Sequence, residues 1–452
     1  MEHMGILSLL PITVVITLAI LTKRTMSSLM IGGVVGAILA FGTGFFSPWV
    51  DSMYWALSNG TWQWMALVCG LFGSLVALFQ VTKSIKSFSS VALKFATSRK
   101  KSLIGTFLVG CAVFVDEWLS ALVVGHAMKR VTDKFNVSRT FLCYLIMAVG
   151  TTICIVVPFS TWSAFFAGLY ESTNVAPIGQ GTAVYISTIP FMFFPIAAII
   201  IAFLIVVGIL PVWGPMRKEI ARAADSGQVF IPGHEPTTDQ SIDPDEKYPH
   251  FANFIVPIIV LAVVTVVTVE MLYGIMAALA TCFIMYVSQK MITVHEFCTA
   301  MLNGFKDMIG VIGIVFAAFA LRVFNEELGL APFVISMVYD ILNPAILPVA
   351  VFFLISVMIF AAGTFWGMAA ISFPVIIPVA EAMGANIPLV AAALVCATAF
   401  AANACFYGAE VTLACSATDV RNTDYAKNAL PIIAAPYIIA MIMFAIAGHM
   451  FP

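Results

Sequence analysis

Residues 102–127 read SLIGTFLVGCAVFVDEWLSALVVGHA, and Asp116 and Glu117 stand in the middle of this mostly apolar stretch. Its length exceeds what one membrane-spanning helix with its flanks needs, and it falls short of the roughly 40 residues that two full spans need. A re-entrant hairpin of two half-helices fits this length. We therefore predict that the chain enters the membrane here, turns at the acidic pair and leaves on the same side.

The rest of the chain is also too apolar for a water-soluble protein of its size. It has 452 residues, of which 62% are hydrophobic and only 10% are charged. A soluble surface carries far more charge, so lipid must be the solvent for most of this one. The apolar runs do not alternate with period two, which excludes a membrane barrel. The sequence therefore predicts an all-α polytopic membrane protein.

Charge and cysteine content exclude several other classes of protein. The net charge of −2 gives no reason to expect a nucleic-acid partner. The nine cysteines lie at irregular spacing, mostly inside apolar runs, which argues against disulfides or a zinc site. The chain has neither a G-x-S-x-G sequence nor a phosphate-binding loop, so we expect a protein that is not an enzyme and has no bound cofactor.

Ten transmembrane helices are predicted in addition to the hairpin. They lie at about 6–22, 28–46, 62–82, 140–168, 182–211, 251–270, 274–289, 307–323, 388–415 and 430–450. A further apolar stretch at 345–383 is long enough for either a second re-entrant hairpin or two full crossings. Both alternatives begin and end on the same side of the membrane, so the orientation of the later spans is the same.

The positive residues test this arrangement, because Lys and Arg favour cytoplasmic loops. With ten crossings and two hairpins, all Lys and Arg residues except Arg322 fall on the inner side. A single crossing by 102–127 would invert every later segment and remove this bias. We predict a multi-pass protein of the cell's inner or plasma membrane, with both termini outside.

A hydrophilic stretch divides the chain into two halves. Residues 214–250, which contain Pro232, Pro236 and Pro244, predict a cytoplasmic linker between a first repeat at 1–213 and a second at 251–452. Five crossings per half is an odd number, so the second half is inserted upside down. Inverted repeats of this kind are typical of alternating-access transporters. An offset of 248 residues places Trp118 on Trp366.

The first candidate site is the tip of the first hairpin. Asp116 and Glu117 are followed by Trp118 and Ser120, and an ionised carboxylate at this depth needs a cation, a proton or a cluster of donors. Two adjacent buried acids can share a proton until a cation arrives, which links proton release to cation uptake. The alternative is a permanently protonated structural pair.

The second candidate site surrounds Pro158, which breaks a span near its middle and frees backbone carbonyls. Hydroxyl and indole groups crowd this break: Thr151, Thr152, Ser160, Thr161 and Trp162. Because Na⁺ prefers hard oxygen ligands, we predict a Na⁺ site made by Asp116, Ser160 and Thr161. The alternative is a proline kink at which the hydroxyls replace lost hydrogen bonds.

The second half offers two comparable regions. One is the stretch 403–412, where an acid stands in an otherwise apolar span; its candidate residues are Asn403, Tyr407, Glu410 and Thr412. The other is Gly363-Thr364-Phe365-Trp366-Gly367, where two glycines suit a tight tip between half-helices, and where Thr364 and Trp366 are the candidate residues. Ordinary packing of small residues explains this second region equally well.

These segments resemble the NhaC family of Na⁺/H⁺ antiporters, within the broader ion-transporter superfamily. The stretch 115–120 is similar to that family's acidic-pair segment, and 158–162 is similar to its Pro-hydroxyl-Trp segment; 363–367 and Leu430-Pro431 also match. The resemblance runs over most of the chain. It implies a secondary active transporter that exchanges or couples Na⁺ and H⁺ by alternating access, with these ions in place of a cofactor.

The chain also departs from the family's pattern. The second acid is Glu117 instead of Asp, and Glu410 only approximates the acid of a family segment that also contains a His. The family is understood to include transporters of amino acids and small organic acids. The alternative is therefore a Na⁺- or H⁺-coupled transporter of a small organic solute, such as an amino acid or an organic cation, which the aromatic residues suit. The lipid bilayer is an expected partner, and a homodimer is left open.

Overall fold

A computed structural model describes residues 4–451, except 23, 85–96, 233–249, 269, 331, 334–342, 363–364 and 407. The described residues form helices and contain no strand. The helices are α1 (Leu10–Thr22), α2 (Thr25–Phe41), α3 (Phe46–Ser58), α4 (Gly60–Val81), α5 (Arg99–Ala112), α6 (Glu117–Lys134), α7 (Arg139–Val156), α8 (Thr161–Ser172), α9 (Gly181–Thr188), α10 (Phe193–Val207), α11 (Gly214–Ser226), α12 (Ala252–Thr268), α13 (Met271–Ser288), α14 (Val294–Asp307), α15 (Ile309–Glu327), α16 (Leu347–Ala362), α17 (Phe365–Ala382), α18 (Ile387–Ala404), α19 (Ala409–Thr418) and α20 (Asn422–Met450).

The lengths and apolar character of these helices agree with the predicted membrane protein. In the described part of the chain, eight helices are long and apolar enough to cross a membrane. A ninth span results if Gly181–Phe191 and Phe193–Val207, which meet at a bend of 56°, cross as one. Shorter apolar helices lie at Gly5–Leu18, Ala252–Thr268 and Leu347–Ala362. The predicted all-α polytopic fold is confirmed.

Residues 102–127 turn back on themselves at the predicted position. Helix α5 ends at Ala112, α6 begins at Glu117, and a Cβ built on Gly105 would lie 3.8 Å from the methyl carbon of Met128. A straight helix would hold these two residues about 35 Å apart. Both open ends of this first hairpin lie near the segment 214–230, because Arg99 donates to the Ile220 carbonyl and the Arg139 amide donates to the Val229 carbonyl.

Helices α16 and α17 of the stretch 345–383 fold back on each other and are called the second hairpin. A re-entrant hairpin and two full crossings share this arrangement, so the choice between them stays a prediction. The Tyr425 hydroxyl donates to the Asn403 carbonyl, so the end of α18 lies beside the start of α20. The start of α18 at Ile387 therefore lies toward the far end of α20, where Gly448 touches the Ala345 carbonyl. The stretch thus begins and ends on the same side.

The two hairpins open toward opposite faces of the protein. Lys129, near the open end of the first hairpin, pairs with Asp419 just before α20 begins. Ala345, at the open end of the second hairpin, touches Gly448 near the end of the same helix. Helix α20 has 29 residues and is about 43 Å long. An inverted repeat requires this relation between the hairpins, and the repeat itself stays a prediction.

Three amphipathic helices did not follow from hydropathy. Helices α3 and α14 lie between predicted spans, and α11 occupies the beginning of the predicted linker. Each has 13 or 14 residues and includes polar positions, so none forms a membrane-length apolar run. The beginning of α14 does have a sequence signature, since Thr293 and Glu296 form a capping box.

A close helix crossing brings the second half against the first. A Cβ on Gly73 of α4 would lie 2.2 Å from the Gly304 carbonyl oxygen of α14, and the reverse distance is the same. Glycine at both positions allows the backbones to approach, as it commonly does between membrane helices. This crossing places the beginning of α15 beside α4, where both helices reach the candidate site.

Ion pairs connect the end of α6 to the end of α19. The Asp419 carboxylate accepts from Lys129 Nζ at 2.8 Å and from Arg139 at 2.6 Å, and Arg139 also pairs with Asp133 at 2.8 Å. Gly125 packs against Ala417 along the same interface. The two helices that begin at the candidate acids are therefore joined at their other ends.

Cysteine labelling tests the re-entrant topology. In a Cys298→Ser background, which removes the solvent-exposed native thiol, we expect a membrane-impermeant maleimide outside the cell to label Ile178→Cys and leave Lys134→Cys unlabelled. Ile178 is 83% exposed in the loop after α8, and Lys134 is exposed at the open end of the first hairpin. Labelling of Lys134→Cys from outside contradicts a cytoplasmic hairpin; permeabilised cells, in which both thiols should react, provide the control.

Candidate functional site

The acids at the first hairpin tip are held by the two residues that begin α8. A break at 157–160 separates α7 from α8, and the Thr161 amide donates to the Val115 carbonyl at 3.0 Å. Thr161 Oγ1 donates to Asp116 Oδ2 at 3.1 Å, and Trp162 Nε1 donates to Glu117 Oε2 at 2.5 Å. The predicted hairpin tip and the predicted helix break therefore form one site.

A third acid joins this pair from the second half of the chain. Glu410 lies in the first turn of α19, directly after a break at 405–408, and it is 6% exposed. It lies close enough to Glu117 for their charges to interact, and the Trp118 indole lies near the Glu410 carboxyl. Asp116, Glu117 and Glu410 thus form an acid cluster to which both halves contribute.

The acid cluster is buried, and its charge needs compensation. Asp116 and Glu117 are each only 4% exposed. The hydrogen bond to Glu117 comes from the neutral indole of Trp162, and the neutral Trp118 indole lies near Glu410. Three ionised carboxylates in this environment are costly unless protons or mobile cations offset their charge. The beginnings of α6, α8 and α19 meet here, and the positive ends of their helix dipoles offset only part of it.

A cavity lies directly beside the acid cluster. It encloses an empty volume of about 340 Å³, its open mouth included. Asp116, Glu117 and Thr161 supply its oxygen-bearing side chains. The remaining lining side chains are those of Cys69, Trp118, Phe165, Met308, Val311 and Trp366. The surface that these side chains expose to the cavity is apolar.

Stacked aromatic rings join the two hairpins at this cavity. The Trp162 ring lies 5.0 Å from the Phe365 ring at an interplanar angle of 13° and 5.0 Å from the Trp366 ring. The Phe165 and Trp366 rings meet edge to face at 4.5 Å. Since Trp162 also binds Glu117, this one side chain contacts the tips of both hairpins. Phe365 and Trp366 begin α17, as Glu117 and Trp118 begin α6.

Ser160 has a structural role that the sequence offered only as an alternative. Pro158 cannot donate to the Cys154 carbonyl, and the Ser160 hydroxyl donates to that carbonyl instead. Ser160 Oγ also accepts from the Ser163 amide in a capping box at the start of α8. The neighbouring Ile155 carbonyl accepts from the Tyr185 hydroxyl at 2.7 Å. Both carbonyls thus have protein donors, and Na⁺ coordination by Ser160 stays a prediction.

Three other candidates of the first half lie in the packing between α6 and α7. The Thr152 hydroxyl donates to the Ala148 carbonyl at 2.5 Å, and Thr151 is buried beside it. Both lie at the end of a π-helical segment, a feature common at functional sites. The buried Ser120 hydroxyl faces Gly150 in this segment, where an added Cβ would lie 2.4 Å away. None of these three side chains lines the cavity.

The candidates of the second half support the second break. The Asn403 side-chain amide donates to the Ala399 carbonyl at 3.1 Å. The Thr412 hydroxyl donates to the Gly408 carbonyl at 2.7 Å and accepts from Asn422 at 2.8 Å. Both residues therefore hold the backbone around Glu410. Tyr407 and Thr364 lie outside the described residues.

Four lining residues did not emerge from the sequence. Phe165 follows Thr161 by one helical turn, and this spacing alone could have placed it on the same face. Cys69, Met308 and Val311 lie on α4 and at the start of α15, far from every polar motif in the sequence. Only the crossing of α4 with the second half brings them to the cavity.

One known protein family matches most of this chain. The model of the Na⁺/H⁺ antiporter family matches residues 153–449. The chain belongs to the Na⁺/H⁺ antiporter family. This assignment confirms the NhaC-type resemblance of the sequence and makes the chain a secondary transporter. The matched region contains the first break, the second hairpin and Glu410, while the first hairpin precedes it.

Relatives of this antiporter-family chain agree with the assignment at the level of fold. An uncharacterized protein of Haemophilus influenzae is 25% identical over 425 residues, covering 84% of this chain and 78% of its own length. The Alcanivorax borkumensis YdaH transporter superposes with a TM-score of 0.55 and 14% identity, covering 88% of both chains. MtrF of Neisseria gonorrhoeae, described as an antimetabolite efflux pump, has a TM-score of 0.55 and 13% identity, covering 88% of this chain and 82% of its own.

Substitutions at the first break separate structural from ion-dependent roles. We expect Ser160→Ala and Ser163→Ala each to lower the free energy of unfolding by about 1 kcal/mol, because each removes one arm of the capping box. We expect Thr161→Val to change the cation dependence of transport, because it removes the hydroxyl that binds Asp116 and keeps the shape. Thermal unfolding in detergent and transport in proteoliposomes measure the two effects. A Thr161→Val variant with unchanged cation dependence contradicts the second expectation.

Proposed function

We propose that this transporter exchanges protons for a cation at the acid cluster. The observation that carries the proposal is the burial of Asp116, Glu117 and Glu410 in one cluster, with Asp116 and Glu117 beside the cavity and a neutral indole as the donor to Glu117. Fixed positive side chains would hold the acids permanently ionised. Neutral donors do not balance the negative charge of the acids, so protons or cations that enter and leave the site must balance it.

The exchange follows from competition for the same carboxylates. Protonation removes the charge of the cluster and allows it to face an apolar environment. An arriving cation favours the ionised form and displaces the proton, so that one species is bound at a time. If the site opens alternately to the two sides of the membrane, this competition couples the two movements.

Na⁺ is the inorganic cation that this site suits. Thr161 and Asp116 bring a hydroxyl and a carboxylate oxygen together at 3.1 Å, and Na⁺ prefers hard oxygen ligands. The Cys69 thiol lines the same cavity as Asp116 and Glu117. A thiol is a weaker acid than a carboxyl group, so the carboxyl groups are the proton carriers in this scheme. The membrane we propose is the cell's plasma membrane, with both termini outside, as the positive residues favour.

Proton movement in proteoliposomes tests the exchange. A pH-sensitive dye trapped inside should report proton movement when Na⁺ is added outside the wild-type protein, and Asp116→Asn and Glu410→Gln should abolish it. Both substitutions keep the shape of the side chain and remove its titration. Glu171→Gln is the matched control, because Glu171 is also buried and its carboxyl oxygen accepts from the Gly181 amide, a bond that glutamine retains.

The pH profile of each variant distinguishes coupling from folding. A correctly folded Asp116→Asn variant that moves protons with the wild-type pH dependence would show that Asp116 is structural. Glu410 would then be the first candidate for the proton carrier. Loss of activity in Glu171→Gln as well would instead point to a general effect of altering buried acids.

A further inference from the structure

We propose that a water-filled vestibule leads from the cytoplasm along the polar face of α14 and ends at Met308, beside the acid cluster. It is the cytoplasmic access route to the cavity that Asp116 and Glu117 line. This inference rests on the proposed exchange for the species that pass through the vestibule, whereas the presence of water in the vestibule can be tested without transport. Three observations support it: the depth that α14 reaches, the polarity of its exposed face and the position of Met308.

Helix α14 runs along one half of α4 and ends at the middle of that helix. The Ser74 hydroxyl donates to the Met301 carbonyl at 2.8 Å, and a Cβ built on Gly70 would meet the Phe305 ring. Gly70 stands at the centre of α4 (Gly60–Val81), which is long and apolar enough to cross a membrane. The last turn of α14 therefore lies near the centre of the membrane, and its start lies toward the side that the positive residues predict to be cytoplasmic.

The exposed face of α14 is polar over most of this depth. Its exposed polar and charged residues are His295, Glu296, Thr299, Asn303, Lys306 and Asp307. The neighbouring α13 differs, because its exposed residues from Met276 to Ile284 are apolar, although Phe283 lies beside Phe297 of α14 with ring centroids 5.1 Å apart. Hydrocarbon suits the face of α13, whereas polar groups at this depth require water.

A charged residue from the first half of the chain reaches the same region. A Cβ built on Gly313, near the start of α15, would lie 3.0 Å from the Met26 sulfur at the start of α2. Arg24 is exposed and directly precedes α2, so it lies near the end of α14. A cationic side chain in a membrane protein at this depth faces water or a partner. Two elements that are distant in sequence thus bring polar groups to one region, which indicates that it is aqueous.

The vestibule ends directly beside the acid cluster. Helix α14 ends at Asp307 and α15 begins at Ile309, so Met308 is the junction between them. Met308 also lines the cavity together with Asp116 and Glu117. The surface that the lining side chains expose to the cavity is apolar. Met308 is therefore part of an apolar barrier between the last charged residues of the vestibule and the buried carboxyl groups.

Thiol modification in inverted membrane vesicles tests for water in the vestibule. In a Cys298→Ser background, Thr299→Cys, Asn303→Cys and Lys306→Cys would receive a positively charged, membrane-impermeant methanethiosulfonate from the cytoplasmic side. Only the thiolate reacts, and thiolates form in water, so we expect all three positions to react at least about a hundredfold faster than Ile284→Cys. Ile284 is the matched control, because it is 67% exposed on the apolar face of α13.

Two results would overturn the vestibule. One is the absence of reaction at both Asn303→Cys and Lys306→Cys in protein that unfolds at the wild-type temperature. The other is reaction at Ile284→Cys as fast as at Lys306→Cys, because polar and lipid-facing positions would then be equally accessible. If Lys306→Cys does not fold, Asn303→Cys, about one helical turn earlier, carries the measurement.

Proton movement in the same vesicles tests whether the vestibule is the access route. Modification of Lys306→Cys places a bulky cation beside Met308, so we expect it to lower the rate of Na⁺-driven proton movement at least about tenfold relative to the unmodified variant, since charge at an entrance changes ion entry by this order. Modification of His295→Cys, at the mouth, should have a much smaller effect. Unchanged proton movement in fully modified Lys306→Cys overturns the access route. A wild-type protein without Na⁺-driven proton movement instead contradicts the proposed exchange, and the labelling rates then decide on the vestibule alone.

Discussion

The hydrogen bond from the Trp162 indole to the Glu117 carboxyl holds the centre of this transporter together. Glu117 begins the returning arm of the first hairpin, and Trp162 begins the helix after the first break. The same indole stacks on Phe365 and Trp366 at the tip of the second hairpin. A buried carboxyl group without a donor is costly, so this contact fixes the relative position of both hairpins and the break.

The broken helices supply this centre without leaving their own backbone groups exposed to lipid. At the first break, Ser160 and Tyr185 donate to carbonyls that would otherwise lack a partner. At the second, Tyr425 donates to the Asn403 carbonyl and Asn422 to the Phe406 carbonyl. The breaks are thereby stabilised from within the protein, as the hydrocarbon core requires. The helices that begin after these breaks, α8 and α19, therefore start at the acid cluster.

The acids of this protein fall into two electrostatic classes. Asp419 pairs with Lys129 and Arg139, and these fixed cations serve to join α6 to α19. The donor to Glu117 is instead the neutral Trp162 indole, and the neutral Trp118 indole lies near Glu410. In the proposed exchange, the acids of the second class bind a proton or a mobile cation. The same fold occurs in YdaH and MtrF at 14% and 13% identity.

The sequence by itself determined the features that depend on local composition. Hydropathy and charge identified the membrane helices, the length of 102–127 identified the hairpin, and Pro158 identified the first break. Tertiary structure alone decided which distant residues meet: Glu410 with Glu117, and Met308 with the cavity wall. It also showed that the Ser160 hydroxyl donates to the Cys154 carbonyl, which Pro158 leaves without its helical donor. The physical reason is that hydropathy and turn chemistry depend on a few neighbouring residues. A site between helices depends on how the surfaces of distant helices pack, and no local stretch of sequence determines that packing.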